Sequence, residues 1–246
     1  MFNGVKGVYY RELMVLRSRW IKTVLASSIS PMLFLIAFGY GLGRYTSVNN
    51  VNYMAFLIPG LIAMSSMNQS YGVSTEINIS RFYFKVFDEF LLAPVKRWEI
   101  IVGEIFYGIT KGLIPVVIIF FYGILVKAGV KITPLFVAAI LIHLIIFSLI
   151  GFIVALIVKN HGDQVSVNTF VMTPMIFLSG TFYPVEKMPV IVQLIASVFP
   201  LTYSVKLIRY SLIGGDENVV KLVFILFLIM SVLYFIALQI VKKVEV

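Results

Sequence analysis

The chain has 246 residues, 60% of them hydrophobic and 13% charged, with a formal net charge of +9 and no cysteine. Soluble domains average about 45–50% apolar and about 25% charged residues, so no water-soluble core could hide this much apolar surface and the class is all-α integral membrane. The absence of cysteine excludes disulfides, thiolate catalysis and cysteine metal sites, and the basic excess is the ordinary mark of cytoplasmic loops, with no nucleic-acid partner implied.

At the N-terminus the pattern is not that of a signal peptide, because no short basic segment leads into an apolar core and a small-residue cleavage site. Val5, Tyr9, Leu13, Leu16 and Trp20 instead recur at steps of three and four among Lys6, Arg11, Arg17 and Arg19. That predicts an amphipathic helix over 1–20 lying in the membrane interface. Segments 21–42, 53–74, 100–125, 135–158, 165–183 and 219–241 then each supply the roughly 20 largely apolar residues that cross ~30 Å of hydrocarbon. A β-barrel would show alternating stretches of about ten residues in place of these uniform runs. The expectation is a single domain over 1–246 with six transmembrane helices.

Basic residues near the helix ends set the orientation. With both termini inside, Lys6, Arg11, Arg17, Arg19, Lys22, Arg81, Lys85, Lys96, Arg97, Lys159, Lys242 and Lys243 fall on the inner side. Arg44, Lys127, Lys131, Lys187, Lys206, Arg209 and Lys221 fall outside, so the bias favours cytoplasmic N- and C-termini. The last outer region, 184–216, holds two apolar pieces separated by Pro200, each too short to cross. Two short helices dipping into the outer leaflet would fit, since irregular backbone at that depth is tolerated where protein or water covers it. A single long outer loop is the rival.

No constellation for chemistry on the chain is present. The two histidines, His143 and His161, sit on different segments, adjacent Asp88 and Glu89 point to different helix faces, and no phosphate-cradling G-x-x-x-x-G-K-[ST] string occurs. An intramembrane transferase or protease therefore lacks a catalytic set. Lys111 stands near the middle of the third span with Glu104 two turns earlier on a similar face. A mid-bilayer charge is costly, so Lys111 lines a pathway, snorkels or is structurally paired. His143 reads as a packed imidazole, and Asn68, Gln69, Asn168 and Thr169 as interhelical hydrogen-bond partners. Gly39 with Gly43, and Gly108 with Gly112, have the small-xxx-small spacing of close helix contacts.

Between the second and third spans the chain becomes polar: Phe84, Phe87 and Leu91 form an apolar stripe beside Lys85, Asp88 and Glu89, and Pro94 suits the first turn of the next helix. Two readings stand for this segment, a docking knob for a soluble partner and a plain connector on the headgroups.

Four stretches in order, "YMAFLIPGLIAMSS", "FDEFLLAPVKRWEIIVGE", "FVMTPMIFLSGTFYP" and "FPLTYSVKLIRYSLIGG", together resemble the permease subunits of type-2 ABC transporters, closest to small prokaryotic exporters of drugs and glycolipids. The resemblance runs from about Arg11 to Val241. It implies a cytosolic coupling helix between spans two and three, two short re-entrant helices before span six, and a permease that pairs with a second copy of itself. It further implies two copies of a separate ATP-binding subunit, which holds the ATP and Mg, with no cofactor in this chain, no catalysis by it, and a place in the inner (cytoplasmic) membrane. The coupling segment would comprise Phe84, Phe87, Asp88, Glu89, Leu91, Leu92, Pro94, Lys96 and Arg97, and the family's outer region maps onto Gly180, Pro184, Pro189, Pro200 and Arg209. Spans two and five would line the path, with Met64, Asn68, Lys111, Asn168, Met172 and Phe177 as candidates. The implied function is export of an amphipathic drug, lipid or glycoconjugate. The alternative is an ion-coupled secondary transporter using Glu104 and Lys111.

Overall fold

The computed structural model describes residues 3–41, 47–48, 51–84 and 95–243, which form a helical bundle with one short β ladder. Helix α1, Asn3–Phe34, runs on without a break into a π-helical segment, Leu35–Tyr40. Strands β1, Ser47–Val48, and β2, Val51–Asn52, pair antiparallel. Then come α2 (Tyr53–Tyr71), α3 (Val73–Phe82), α4 (Arg97–Leu125) and α5 (Pro134–Ile157). A segmented helix follows, with α6 (His161–Val167), a π-helical stretch (Asn168–Met172) and α7 (Thr173–Leu178). After a 3-10 turn at Val185–Lys187, α8 (Val190–Val198), α9 (Pro200–Ile213) and α10 (Val219–Lys243) complete the described chain.

The expected division of the N-terminal region into an interfacial helix over 1–20 and a span over 21–42 is not seen. Neither Gly nor Pro lies between Arg17 and Thr23, so nothing interrupts the backbone ladder. The candidate span Gly4–Gly39 has 36 residues, which at 1.5 Å per residue is about 54 Å, longer than ~30 Å of hydrocarbon. Its first turns face protein: Val5, Val8 and Leu16 are buried, and a Cβ on Gly103 of α4 would lie 2.8 Å from the Val8 side chain. Trp20, expected on the same stripe, is exposed.

Four described helices are long and apolar enough to cross a membrane: Gly4–Gly39, Arg97–Leu125, Pro134–Ile157 and Val219–Lys243. The pair α8 and α9 raises the number to five if it counts as one span, although the two helices are bent by 92°. The bend has a local cause, since Phe199 is extended (φ −82°, ψ 125°) and Pro200 occupies the first turn of α9, where proline disfavours a helical residue before it. The expected second span is a helix but is missing from this set. Of its 19 residues, 16 are buried, and its C-terminal half carries Ser65, Ser66, Asn68, Gln69 and Ser70. Protein wraps α2 on nearly every side, so its surface need not match lipid.

Close helix contacts form where the glycines allow them. A Cβ on Gly108 would meet Ser148 Oγ at 2.1 Å and one on Gly112 would meet Leu144 at 2.2 Å, so this glycine pair seats α4 on α5. Gly39 packs against Met54, while Gly43 lies outside the described residues. Two ends of the bundle can be told apart. One holds the start of α1, the start of α4 and the end of α10, because Gly4 abuts Val95 and Glu99 and Arg97 donates to the Lys242 carbonyl at 3.1 Å. The other holds Tyr53, the 179–187 turn and α9.

Candidate functional site

The first region of interest is the polar segment before α4. Phe87, Asp88, Glu89, Leu91, Leu92 and Pro94 lie outside the described residues. On its flanks Phe84 is exposed, as are Lys96 and Arg97. Lys96 caps α4, its backbone N–H donating to Glu99 Oε2 at 2.9 Å. This end of the bundle therefore presents an aromatic ring and two cations to the solvent beside the foot of α3.

Above it, α1, α3 and α4 enclose a cluster of charges. Lys111 is 6% exposed and pairs with Glu76 of α3 at 3.1 Å, with its ammonium 5.8 Å from the Tyr107 ring centroid. Glu12 is buried beside Arg11, which also donates to Ser80 Oγ at 3.0 Å. Glu104 is 1% exposed and neither of its oxygens has a hydrogen-bond partner among the described residues. Of the roles open to it, Lys111 is thus structurally paired, with an acid on another helix. The pairing is helped by Gly72, the break between α2 and α3: a Cβ there would lie 3.3 Å from Lys111 Nζ, so the absent side chain makes room for the ammonium to reach α3. Glu12 and Glu76 went unnoticed in the sequence because both fall in stretches that read as interfacial or span-terminal. Among the described residues no three of His, Asp and Glu converge to hold a metal ion.

The second feature is a polar ladder between α2–α3 and the segmented helix of 161–178. Tyr71 Oη donates to Asn168 Oδ1 at 2.8 Å, and Gln164 Nε2 donates to Tyr71 Oη at 3.0 Å and to Ser74 Oγ at 2.8 Å. Asn78 Nδ2 donates to Gln164 Oε1. Asn168 opens the π-helical stretch, a geometry that recurs at functional sites. The structure thus brings Asn168 against the second predicted span but scatters the other pathway candidates. Met64 and Met172 are core residues, Asn68 is exposed, and Phe177 packs 5.6 Å from Phe182 while remaining half exposed. His143 is fully buried with its ring 4.8 Å from Phe147, as a packing residue would be.

At the opposite end the turn 179–182 is held on three sides. Gly180 has φ +82°, a left-handed conformation that favours glycine. A Cβ on Gly60 of α2 would come 2.2 Å from the Thr181 carbonyl oxygen, so the two backbones nearly touch. Tyr53 Oη donates to the Phe182 carbonyl at 3.0 Å. From α9, Arg209 donates to the Gly180 carbonyl at 2.7 Å and to the Phe56 carbonyl at 3.4 Å, its guanidinium 3.8 Å above the Phe56 ring centroid. Phe182 in turn lies 5.2 Å from both Phe34 of α1 and Phe38 of the π-helical segment that continues it. Pro184 is buried behind this turn, and Pro189 and Pro200 start α8 and α9. Near it Lys206 bridges Glu186 at 2.5 Å and Glu217 at 3.4 Å. Burial alone would push the Glu186 carboxyl up, but the Lys206 ammonium outweighs it and holds the group below its ordinary range.

Comparison with known proteins gives a consistent result. The family described as "ABC-2 type transporter" matches residues 4–213. The "Inner membrane transport permease YadH" of Escherichia coli (strain K12) is 30% identical over 223 residues, which is 87% of this chain and 84% of that protein. "Nodulation protein J" of Rhizobium leguminosarum bv. viciae is 26% identical over 218 residues, 85% of this chain and 82% of that one. The protein of the same name from Rhizobium meliloti (strain 1021) is 27% identical over 217 residues, covering 85% and 81%.

Proposed function

The chain belongs to the ABC-2 type transporter family, and from that premise we propose that it is the membrane-spanning permease of an ATP-driven exporter in the inner membrane. Hydrolysis would occur on a separate ATP-binding subunit, present in two copies, and a second copy of this chain would complete the path. The name of the E. coli relative, an inner membrane transport permease, supports the location and the transport role. Six spans would be α1, the α2–α3 column, α4, α5, the segmented helix of 161–178 and α10, with α8 and α9 re-entrant. At 9 and 14 residues those two reach only about 14 and 21 Å, short of a full crossing. The cargo would be an amphipathic drug, lipid or glycoconjugate leaving the cytoplasm.

One geometric observation carries the mechanism. The α2–α3 column runs from Tyr53, which holds the 179–182 turn, to Phe82 at the foot of the polar segment. Along the way it bonds Asn168 through Tyr71 and Lys111 through Glu76. A push at Phe84–Arg97 by closing ATPases would tilt this column, break and remake the Tyr71–Asn168 contact, and move the outer turn. Such coupling requires that the partner bind the 84–97 segment differently in its two nucleotide states. Glu89→Lys tests it in the complex with the ATPase. The variant should keep the permease monodisperse and ATP hydrolysis running while abolishing cargo export into vesicles, and normal export by it would refute the coupling role.

A further inference from the structure

The coupling scheme leaves one large feature unused. Between the 179–187 turn and the C-terminal half of α9 lies a cavity of about 590 Å³, in the range of small-molecule sites. Its wall includes Ser179, Lys187, Lys206 and Arg209 as donors, and Glu186, Asp216 and Glu217 as acceptors. Lys206 is occupied by Glu186 and Glu217. Arg209 and Lys187 have no carboxylate within ion-pairing reach among the described residues, and Arg209 spends both its hydrogen bonds on neutral carbonyls. Ser179 is 0% exposed and its hydroxyl has no hydrogen-bond partner among the described residues. A buried hydroxyl left unpaired, and a guanidinium whose hydrogen bonds go only to neutral carbonyls while Glu186 and Glu217 stay beyond ion-pairing distance, are costly in a protein that never fills the site.

Next to the cavity, α8 shows two faces. Gln193 and Ser197 turn towards the Lys206–Glu186–Glu217 group, while Val190, Ile191, Leu194 and Val198 are 71–80% exposed. A polar pocket joined to an uncovered apolar helix matches an amphiphile with a charged head. The wall is neutral in sum, three cations against three carboxylates, so a bare anion gains little from the field as a whole. A head carrying both signs gains from each: a phosphate on Arg209, Lys187 and Ser179, and an amine on Asp216, the carboxylate Lys206 leaves free.

We propose that this cavity binds the zwitterionic phosphate headgroup of a membrane lipid, with the acyl chains along the apolar face of α8. This goes beyond the exporter function and does not depend on it, since the site is complete in one chain.

The test uses the full chain purified in neutral detergent, with native mass spectrometry reading bound lipid during titration by phosphatidylethanolamine, phosphatidylglycerol or diacylglycerol, and inorganic phosphate as competitor. The side chains of Lys187 and Ser179 make no hydrogen bond or ion pair among the described residues, so Ser179→Ala with Lys187→Gln does not lower the melting temperature and serves as the variant. Wild type should retain one phosphatidylethanolamine in preference to phosphatidylglycerol and ignore diacylglycerol. The double variant should bind about tenfold more weakly, the scale of one charge-assisted hydrogen bond. Excess inorganic phosphate should displace the lipid in part. Equal retention by wild type and variant, retention of diacylglycerol, or binding of phosphate without lipid would each overturn the assignment. No ATPase enters the assay, so a negative result leaves the transport role untouched, and a failed export experiment leaves this site untouched.

Discussion

Replacing Lys111 by Met asks whether the bundle depends on the ion pair that crosses from α4 to α3. The two charges lie 3.1 Å apart, with side-chain exposures of 8% for Lys111 and 32% for Glu76. At an effective dielectric of about 20 such a pair is attracted by about 5 kcal/mol. Glu76 keeps part of its water, which halves the figure to roughly 2–3 kcal/mol. Losing the cation also leaves Glu76 near Glu12 and Arg11 without its partner, and breaking a buried pair from one side costs ~3–5 kcal/mol when the remaining charge is fully enclosed. Lys111→Met should therefore cost about 3 kcal/mol and Glu76→Gln about 2 kcal/mol, while the double variant should fall close to the worse single. Unfolding of the purified chain by dodecyl sulfate titration, followed by tryptophan fluorescence, closes this double-mutant cycle. A single variant indistinguishable from wild type, or a coupling energy near zero, would refute the pairing.

Two other outcomes follow from the opposite end of the bundle. Gly60→Ala places a Cβ 2.2 Å from a backbone oxygen that cannot swing away, and should destabilise by about 1–3 kcal/mol. Gly7→Ala, where nothing lies within 4 Å, should be neutral or gain up to ~1 kcal/mol from helix propensity; similar effects at both glycines would show that the α2–turn contact is not tight. Because the Glu186 carboxyl is held below its ordinary range by Lys206, its contribution is complete above the unfolded carboxylate value and disappears as pH falls through the lowered one. With Glu186 61% exposed the amount is under about 1 kcal/mol, so the melting curve of Glu186→Gln should lose a shallow slope between about pH 5 and pH 3, and an unchanged slope would sink the assignment.

How much of this was legible beforehand depends on which force decides each feature. Helices long enough to face lipid announce themselves by composition alone, and 97–125, 134–157 and 219–243 were located within a few residues. Pro200 and the short apolar pieces around it foretold a sharp break, which the 92° bend bears out. Less visible was the continuity of α1, since amphipathic and apolar stretches look like different elements but share one uninterrupted ladder. The candidate site was legible only in part: Arg209 and Gly180, both named for the outer region, bond to each other at one turn, whereas Glu76, the acid that pairs with Lys111, was not foreseen.

Composition by itself determined that this chain is a bundle of membrane helices, and the order of its motifs determined its family, because lipid imposes a hydropathy pattern that needs no partner to be read. Tertiary structure alone decided that α2 is wrapped by protein, that Lys111 finds its counter-ion on α3 past the side-chain-free Gly72, and that Arg209 of α9 clasps α2 to the 179–182 turn. Those outcomes hinge on which helix faces which, and a linear pattern records only the faces a helix has, never the neighbour each face will meet.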